Sequence, residues 1–227
     1  DFIAKEVAVK FNIDAKKITI CGVAKGAGMI APNMATMLVF IFTDANITQN
    51  AINKALKLCV ANSFNCITID GCMSTNDSLM LLANGAGENS LINGGEKFNL
   101  FVKALNIVCL ELAKMIVKDG EGATKFIEIK IRGAKKFEDA KKVALNIANS
   151  NLFKTAMFGE NPNFGRIVAS VGASGVDIKE KDIKIKVSPL NKKDIFVDVS
   201  IGRGNSSCVV YTSDLTPEYI KINAEYN

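Results

Sequence analysis

The chain of 227 residues contains no histidine and no tryptophan. Ser-His-Asp and Cys-His mechanisms are therefore excluded, because both use an imidazole as general base. Any nucleophile in this chain must be activated by another group. The six cysteines form no Cys-x-x-Cys pair, and without histidine a zinc site would need four thiolates. We predict that the chain holds no metal and that most cysteines are core residues in a reducing compartment.

Long apolar runs and basic stripes interleaved with aromatics are also missing. The longest apolar run is too short to cross a bilayer, and the first residues, DFIAKEVAVK, lack the apolar core of a secretory signal. The net charge of +5 comes mainly from scattered lysines. We therefore predict neither a membrane nor a nucleic-acid partner. The expected location is the cytoplasm, or the mitochondrial matrix in a eukaryote.

Strand and helix patterns follow one another without a strict βαβ rhythm. Thr48 is a candidate N-cap of an amphipathic helix, and the longest helix is expected from about Phe98 to Asp119, with Gly120 as its C-cap. We expect MLVFIFTDA to be a strand buried on both faces, ITIDG a short strand and FEDAKKVALNIANSNLF one helix. These patterns predict an α+β fold of mixed β-sheets layered with helices.

The segment KGAGMIAPNMATMLVFIF, residues 25–42, contains one hydroxyl side chain at Thr36. A strand threonine is usually structural, but small residues precede this one and a rigid strand follows it. Breakage of the Ala35–Thr36 bond would give Thr36 a free α-amine with a pKa of roughly 7.7–8.0. That amine can act as base for the hydroxyl of its own residue without any histidine.

Other motifs allow both a structural and a functional interpretation. GAGMIA fits a loose dinucleotide fingerprint, but a strand follows where that motif requires a helix, so we expect a tight loop. Lys25 opens this loop and could hold a carboxylate. Glu121 lies between glycines after the longest helix, where it is either a solvated acid or a ligand for an amine. The polar run from Asp70 to Asp77 is typical of Asx and Ser/Thr turns and only weakly favours a cation site.

Five blocks, in order, resemble the ornithine acetyltransferase family, also called glutamate N-acetyltransferases, of arginine biosynthesis. They are KGAGMIAPNMATML, SFNCITIDGCMSTNDS, DGEGATK, FGENPNFGRI and TSDLTPEYIKINAEY. The resemblance covers essentially the whole chain and implies the autoprocessing N-terminal-nucleophile fold of that family. It also implies a self-cleaving precursor, cut between Ala35 and Thr36, with residues 1–35 as the tail of an α chain and 36–227 as the β chain.

The resemblance further implies an N-acyltransferase that uses no cofactor. Thr36 would take the acetyl group of N2-acetylornithine, and glutamate would accept it to give N-acetylglutamate. Some members also use acetyl-CoA as donor. Lys25, Thr36, Glu121 and Asn223 match substrate-contacting positions, where Lys25 suits a carboxylate and Glu121 an α-ammonium group. The implied partners are the α chain of the same precursor and an α2β2 heterotetramer.

The chain departs from the family pattern at several places. Cys72-Met73 replaces the usual Asp-Thr, Phe164 replaces a tryptophan, and the usual final threonine is absent. The family's N-terminal half, which carries the threonine–glycine oxyanion hole, is also absent, so this polypeptide alone is expected to be an incomplete catalyst. Two alternatives remain open: an N-terminal-nucleophile aminopeptidase or amidase that releases acyl groups to water, and an inactive fragment.

Overall fold

A computed structural model describes residues 1–32 and 36–225, which pack into two compact units. The first unit is made of residues 1–65 and 73–116, and the second of residues 66–72 and those from 117 onward. The helices are α1 (Gln49–Ala61), α2 (Gly95–Lys118), α3 (Phe137–Ala148), α4 (Asn151–Phe158), α5 (Phe164–Ala173) and α6 (Pro217–Ala224). The strands are β1 (Lys5–Ile13), β2 (Lys16–Lys25), β3 (Leu38–Thr43), β4 (Ser78–Ala83), β5 (Phe126–Ala134), β6 (Lys184–Val187), β7 (Asp194–Ser200) and β8 (Ser206–Ser213).

The first unit contains a four-stranded mixed sheet in the order β1-β2-β3-β4. The first three strands pair antiparallel, and β4 returns parallel to β3 after α1. Thr48 caps α1 as predicted, because its side chain accepts a hydrogen bond from the backbone N–H of Ala51. Helix α2 packs near β1, where the rings of Phe11 and Phe101 lie 6.4 Å apart. The mixed sheet and its helices agree with the predicted α+β class.

The prediction that β3 is buried on both faces is wrong. Val39 and Ile41 are buried on the inner face, whereas Leu38 is 37% and Phe42 45% exposed on the other. The register brings further apolar side chains of β2 and β4 to that second side. We call this set the outer face: Val23, Leu38, Phe42, Met80 and Leu82. Its apolar character explains why the sequence pattern indicated burial there.

The second unit has its own four-stranded sheet in the order β6-β7-β5-β8. Strand β5 runs parallel to β7 and antiparallel to β8. Helix α3 packs on β5 and β8 through an apolar face that includes Val143 and Ile147. Strand β5 alternates between buried and more exposed positions, as expected for a strand with one face covered.

Three local predictions are wrong. ITIDG forms no strand, because Ile67 makes only an isolated bridge to β8 before the chain turns at Asp70. The expected single helix is two, since α3 ends at Ala148 with Asn149 as its C-cap, and Ser150 caps α4 through the N–H of Phe153. Gly120, the predicted C-cap of α2, does not adopt the left-handed conformation that is typical of a capping glycine. That conformation occurs two residues later, at Gly122, with φ +64°.

Within residues 1–32 and 36–225, no helix combines the length and apolar character needed to cross a bilayer. Four of the six cysteines, Cys59, Cys66, Cys109 and Cys208, are buried as the sequence predicted. Cys21 is half-buried and Cys72 is exposed. The described part of the chain contains no group of three or more metal-ligating side chains.

Candidate functional site

Each unit carries one polar cluster that includes predicted site residues. In the first unit, Thr36 is half-buried and precedes Met37, whose side chain is fully buried. The glycine loop approaches the same backbone: a Cβ added at Gly26 would lie 3.6 Å from the Cα of Met37. Thr36 is therefore attached to a buried residue, and the glycine loop packs closely against it. This agrees with the tight loop that the glycines predicted.

The backbone of Met37 is held on both sides by the start of β4. Its N–H donates to Oδ1 of Asp77 at 2.7 Å, and its carbonyl accepts from the N–H of Ser78 at 2.9 Å. Asp77 is only 8% exposed. Burial raises the pKa of its carboxyl, while the Met37 N–H and the positive charge of Lys25 oppose that shift. These contacts fix the position of the peptide that follows Thr36.

Lys25 lies at the end of β2, directly opposite Leu38 in the β2–β3 register. Its side chain is exposed, so its ammonium group is accessible to an anionic ligand. The first unit thus brings Lys25 and Thr36 to the same end of two paired strands. Ala35, the other half of the predicted scissile bond, lies outside the described residues. The division into residues 1–35 and 36–227 therefore stays a prediction.

In the second unit, Glu121 and Asn223 form a direct contact although 102 positions separate them. The side-chain amide of Asn223 donates to Oε2 of Glu121 at 3.1 Å and to the carbonyl of Tyr219 at 3.0 Å. Glu121 is half-buried and Asn223 is exposed. The carboxylate is thus oriented by an amide while solvent still reaches the pair, an arrangement suited to binding an ammonium group.

Gly122 holds this loop against the N-terminus of α6. The hydroxyl of Thr216 donates to the Gly122 carbonyl at 2.7 Å and accepts from the N–H of Tyr219 at 3.1 Å, so it also caps the helix. A Cβ at Gly122 would lie 2.4 Å from that same nitrogen. With φ +64°, the position requires glycine both for its conformation and for the close approach of α6.

The other end of the loop is fixed by Asp214. Its Oδ1 accepts from the N–H groups of Thr124 and Lys125 at 2.9 and 3.0 Å, and its Oδ2 accepts from the Thr124 hydroxyl.

Nearby, the buried ammonium of Lys154 donates to the Thr212 hydroxyl at 3.0 Å and to the Ser213 carbonyl. Burial lowers the pKa of Lys154 to about 8, and the negative charges of Asp214 and Asp70 oppose this.

Tyr219 of α6 contacts the segment of residues 66–72, which belongs to the same unit. Its hydroxyl donates to Oδ2 of Asp70 at 3.2 Å. Burial raises the pKa of the Tyr219 hydroxyl, and the negative charge of Asp70 adds to the effect, so the group is a neutral donor. Asp70 also accepts from the N–H of Cys72 at 3.1 Å, which is the Asx turn that the sequence predicted.

The sequence placed Asp77 only within a polar turn, and it indicated no role for Lys154, Asp214 or Tyr219. A signal existed for Lys154, because it lies among the buried residues Phe153, Ala156 and Met157 of a helix, where a charged side chain is unexpected. Asp77 had no such signal, since its buried partner is 40 positions away. Its run of Ser, Thr, Asn and Asp has the composition of an ordinary turn.

Comparison with known proteins gives concordant matches. A model of the ArgJ family matches residues 1–191. The chain is 43% identical over 251 residues to arginine biosynthesis bifunctional protein ArgJ 1 of Clostridium acetobutylicum, and 42% identical over 247 residues to ArgJ of Staphylococcus aureus. Both alignments cover the whole chain but only 62% and 60% of the relatives, so the chain spans about three fifths of their length.

A solved structure agrees with the fold. The crystal structure of arginine biosynthesis bifunctional protein argJ from Bacillus halodurans superposes with a TM-score of 0.80 at 35% identity. The match covers 82% of this chain and 98% of that one. The predicted fold class is thereby confirmed.

Proposed function

The chain belongs to the ArgJ family, and we propose that it forms the nucleophile-bearing part of a self-processing acetyltransferase of arginine biosynthesis. The reaction is transfer of an acetyl group from N2-acetylornithine to glutamate, which yields ornithine and N-acetylglutamate. One observation carries the proposal: Thr36 precedes a backbone that Asp77 and Ser78 hold in place, in a chain without histidine. A rigidly held backbone of this kind suits a nucleophile whose own α-amine serves as base.

The same hydroxyl performs the processing step. Oγ1 of Thr36 attacks the carbonyl carbon of Ala35, the peptide C–N bond breaks, and an ester joins the two residues. The hydroxyl proton passes to the departing α-nitrogen. Water then hydrolyses the ester, which leaves a carboxylate on Ala35 and restores the hydroxyl of Thr36, now with a free α-amine.

Acetyl transfer repeats this chemistry on the substrate. The α-amine takes the hydroxyl proton as Oγ1 attacks the acetyl carbonyl, and ornithine departs with that proton on its nitrogen. The amine of glutamate attacks the acetyl-threonine ester, and the proton it loses returns to Oγ1. The covalent intermediate predicts ping-pong kinetics. Acetyl-CoA is a candidate second donor to the same hydroxyl.

Two charged groups are proposed to bind the substrates. The exposed ammonium of Lys25 suits a substrate carboxylate, and the oriented carboxylate of Glu121, held by Asn223, suits an ammonium group. Both substrates carry a carboxylate, which Lys25 is proposed to bind. N2-acetylornithine also carries a side-chain ammonium group, which is the proposed ligand of Glu121, whereas the amine of glutamate must stay free to attack the acetyl-threonine ester.

The outer face supports a protein partner for the first unit. Its five large apolar side chains are each 37% or more exposed, on three neighbouring strands. A contiguous apolar surface of this kind marks a protein interface more often than a free surface. We propose that the part of the α chain that lies outside this sequence covers it, since the curated relatives are longer than this chain.

The transfer reaction is tested by assaying ornithine release from N-acetylornithine with and without glutamate, using the complete protein. We expect release to depend on glutamate and to match N-acetylglutamate formation. Glutamate-independent release with acetate as product would instead support the aminopeptidase or amidase alternative and would contradict the transferase proposal.

A further inference from the structure

The two carboxylate oxygens of Asp77 have different surroundings. Oδ1 accepts the Met37 N–H at 2.7 Å, whereas Oδ2 is buried and receives no hydrogen bond from any described group. The residue is 8% exposed, so water cannot readily solvate that oxygen. A buried carboxylate oxygen without a donor is costly and rare in native proteins.

Covalent geometry places one candidate beside Asp77. The nitrogen of Met37 is bonded to the carbonyl carbon of Thr36, so standard bond lengths keep the α-nitrogen of Thr36 within about 4 Å of it. Before cleavage that α-nitrogen is an amide with a single hydrogen. After cleavage it becomes an amine that carries up to three hydrogens and, when protonated, a positive charge.

We propose that Asp77 is a positioning residue for Thr36. Its Oδ1 fixes the Thr36–Met37 peptide, and its Oδ2 accepts a hydrogen bond from the α-ammonium group that cleavage creates. This role rests on the proposed function, since it requires cleavage before Thr36. Processing thus supplies the donor that the buried oxygen lacks.

The contact assists acetyl transfer in two ways. It orients the α-amine relative to the hydroxyl of the same residue, and its negative charge stabilises the ammonium that forms when the amine takes the hydroxyl proton. The ammonium of Lys25 on β2 also acts on Asp77, with the opposite charge. Asp77 therefore offsets the repulsion that Lys25 exerts on the α-ammonium.

Asp77→Asn separates the two oxygens. The amide oxygen of asparagine can still accept the Met37 N–H, while its NH2 group replaces the second acceptor and the charge is lost. We expect the variant protein to cleave before Thr36. Loss of a charge-assisted hydrogen bond should lower kcat for transfer roughly 10- to 100-fold, with KM unchanged.

The matched control is Asp44→Asn in the same unit. Asp44 also uses Oδ1 to accept a strand N–H, but from Thr19 on β2, at 2.8 Å, and not from Met37. The Asp44→Asn variant should transfer acetyl groups at the wild-type rate. An equal loss of kcat in Asp44→Asn and Asp77→Asn would show that the loss comes from weakened strand structure and would contradict the role of Asp77. A second measurement avoids variants: in a crystal structure of the cleaved wild-type protein, Oδ2 should lie about 2.7–3.2 Å from the α-nitrogen of Thr36.

The outcomes separate the two proposals. If the wild-type protein neither cleaves before Thr36 nor transfers acetyl groups, the proposed function fails. If it does both while Asp77→Asn keeps the wild-type kcat, only the role of Asp77 is overturned. A cleaved structure in which Oδ2 bonds another group would overturn that role equally.

Discussion

Replacement of Gly122 by alanine tests the geometry that holds Glu121 beside α6. A left-handed backbone costs an L-residue about 1–2 kcal/mol. The added Cβ would also lie 2.4 Å from the Tyr219 nitrogen, and overpacking of this kind costs about 1–3 kcal/mol. Together these terms predict that Gly122→Ala lowers the free energy of unfolding by about 2–5 kcal/mol.

Gly95→Ala is the matched control. Gly95 has φ +67°, nearly the value at Gly122, but a Cβ there would meet nothing within 4 Å. This variant should therefore lose only the conformational term, about 1–2 kcal/mol. Urea denaturation of the complete protein measures both. Equal losses in the two variants would refute the close approach between the Gly122 loop and α6.

The remaining predictions concern two charged side chains of the second unit. Lys154 has a pKa lowered from 10.5 to about 8, so the unfolded chain binds the extra proton between those pH values and stability rises with pH across that window. The wild-type protein should gain about 3 kcal/mol relative to Lys154→Met from pH 8 to pH 10.5, measured by urea denaturation, and parallel curves would contradict this. Glu121→Gln keeps an acceptor for Asn223 but loses the charge, which should raise KM for N2-acetylornithine about 10-fold. Unchanged KM values in steady-state assays would exclude Glu121 as the ammonium ligand.

The sequence predicted the secondary structure where local periodicity decides it. The longest helix, α2, and the cap at Thr48 both depend on neighbouring residues. The burial prediction failed at β3. An apolar face indicates that some surface covers it, but it does not show whether that surface belongs to this chain. Local pattern also failed between α3 and α4, where Ser150 could be read as a helical residue or as a cap.

The candidate site was predictable in part. The absence of histidine and the small residues before Thr36 pointed to its hydroxyl. Lys25 and Glu121 were candidates from their positions beside glycines, and family resemblance added Asn223. The supporting residues were not predictable, since their contacts join distant parts of the chain. Asp77 reaches Met37 across 40 positions, and Asp214 reaches the Glu121 loop across about 90.

The central claim is that Thr36 cleaves the bond before it and then serves as the nucleophile. Intact mass measurement of the complete protein under denaturing conditions tests this most directly. We predict two polypeptides from the wild-type protein, one of them starting at Thr36, partial cleavage for Thr36→Ser and a single uncut chain for Thr36→Ala. A wild-type chain that remains whole, or cleavage at the same bond in Thr36→Ala, would contradict the account.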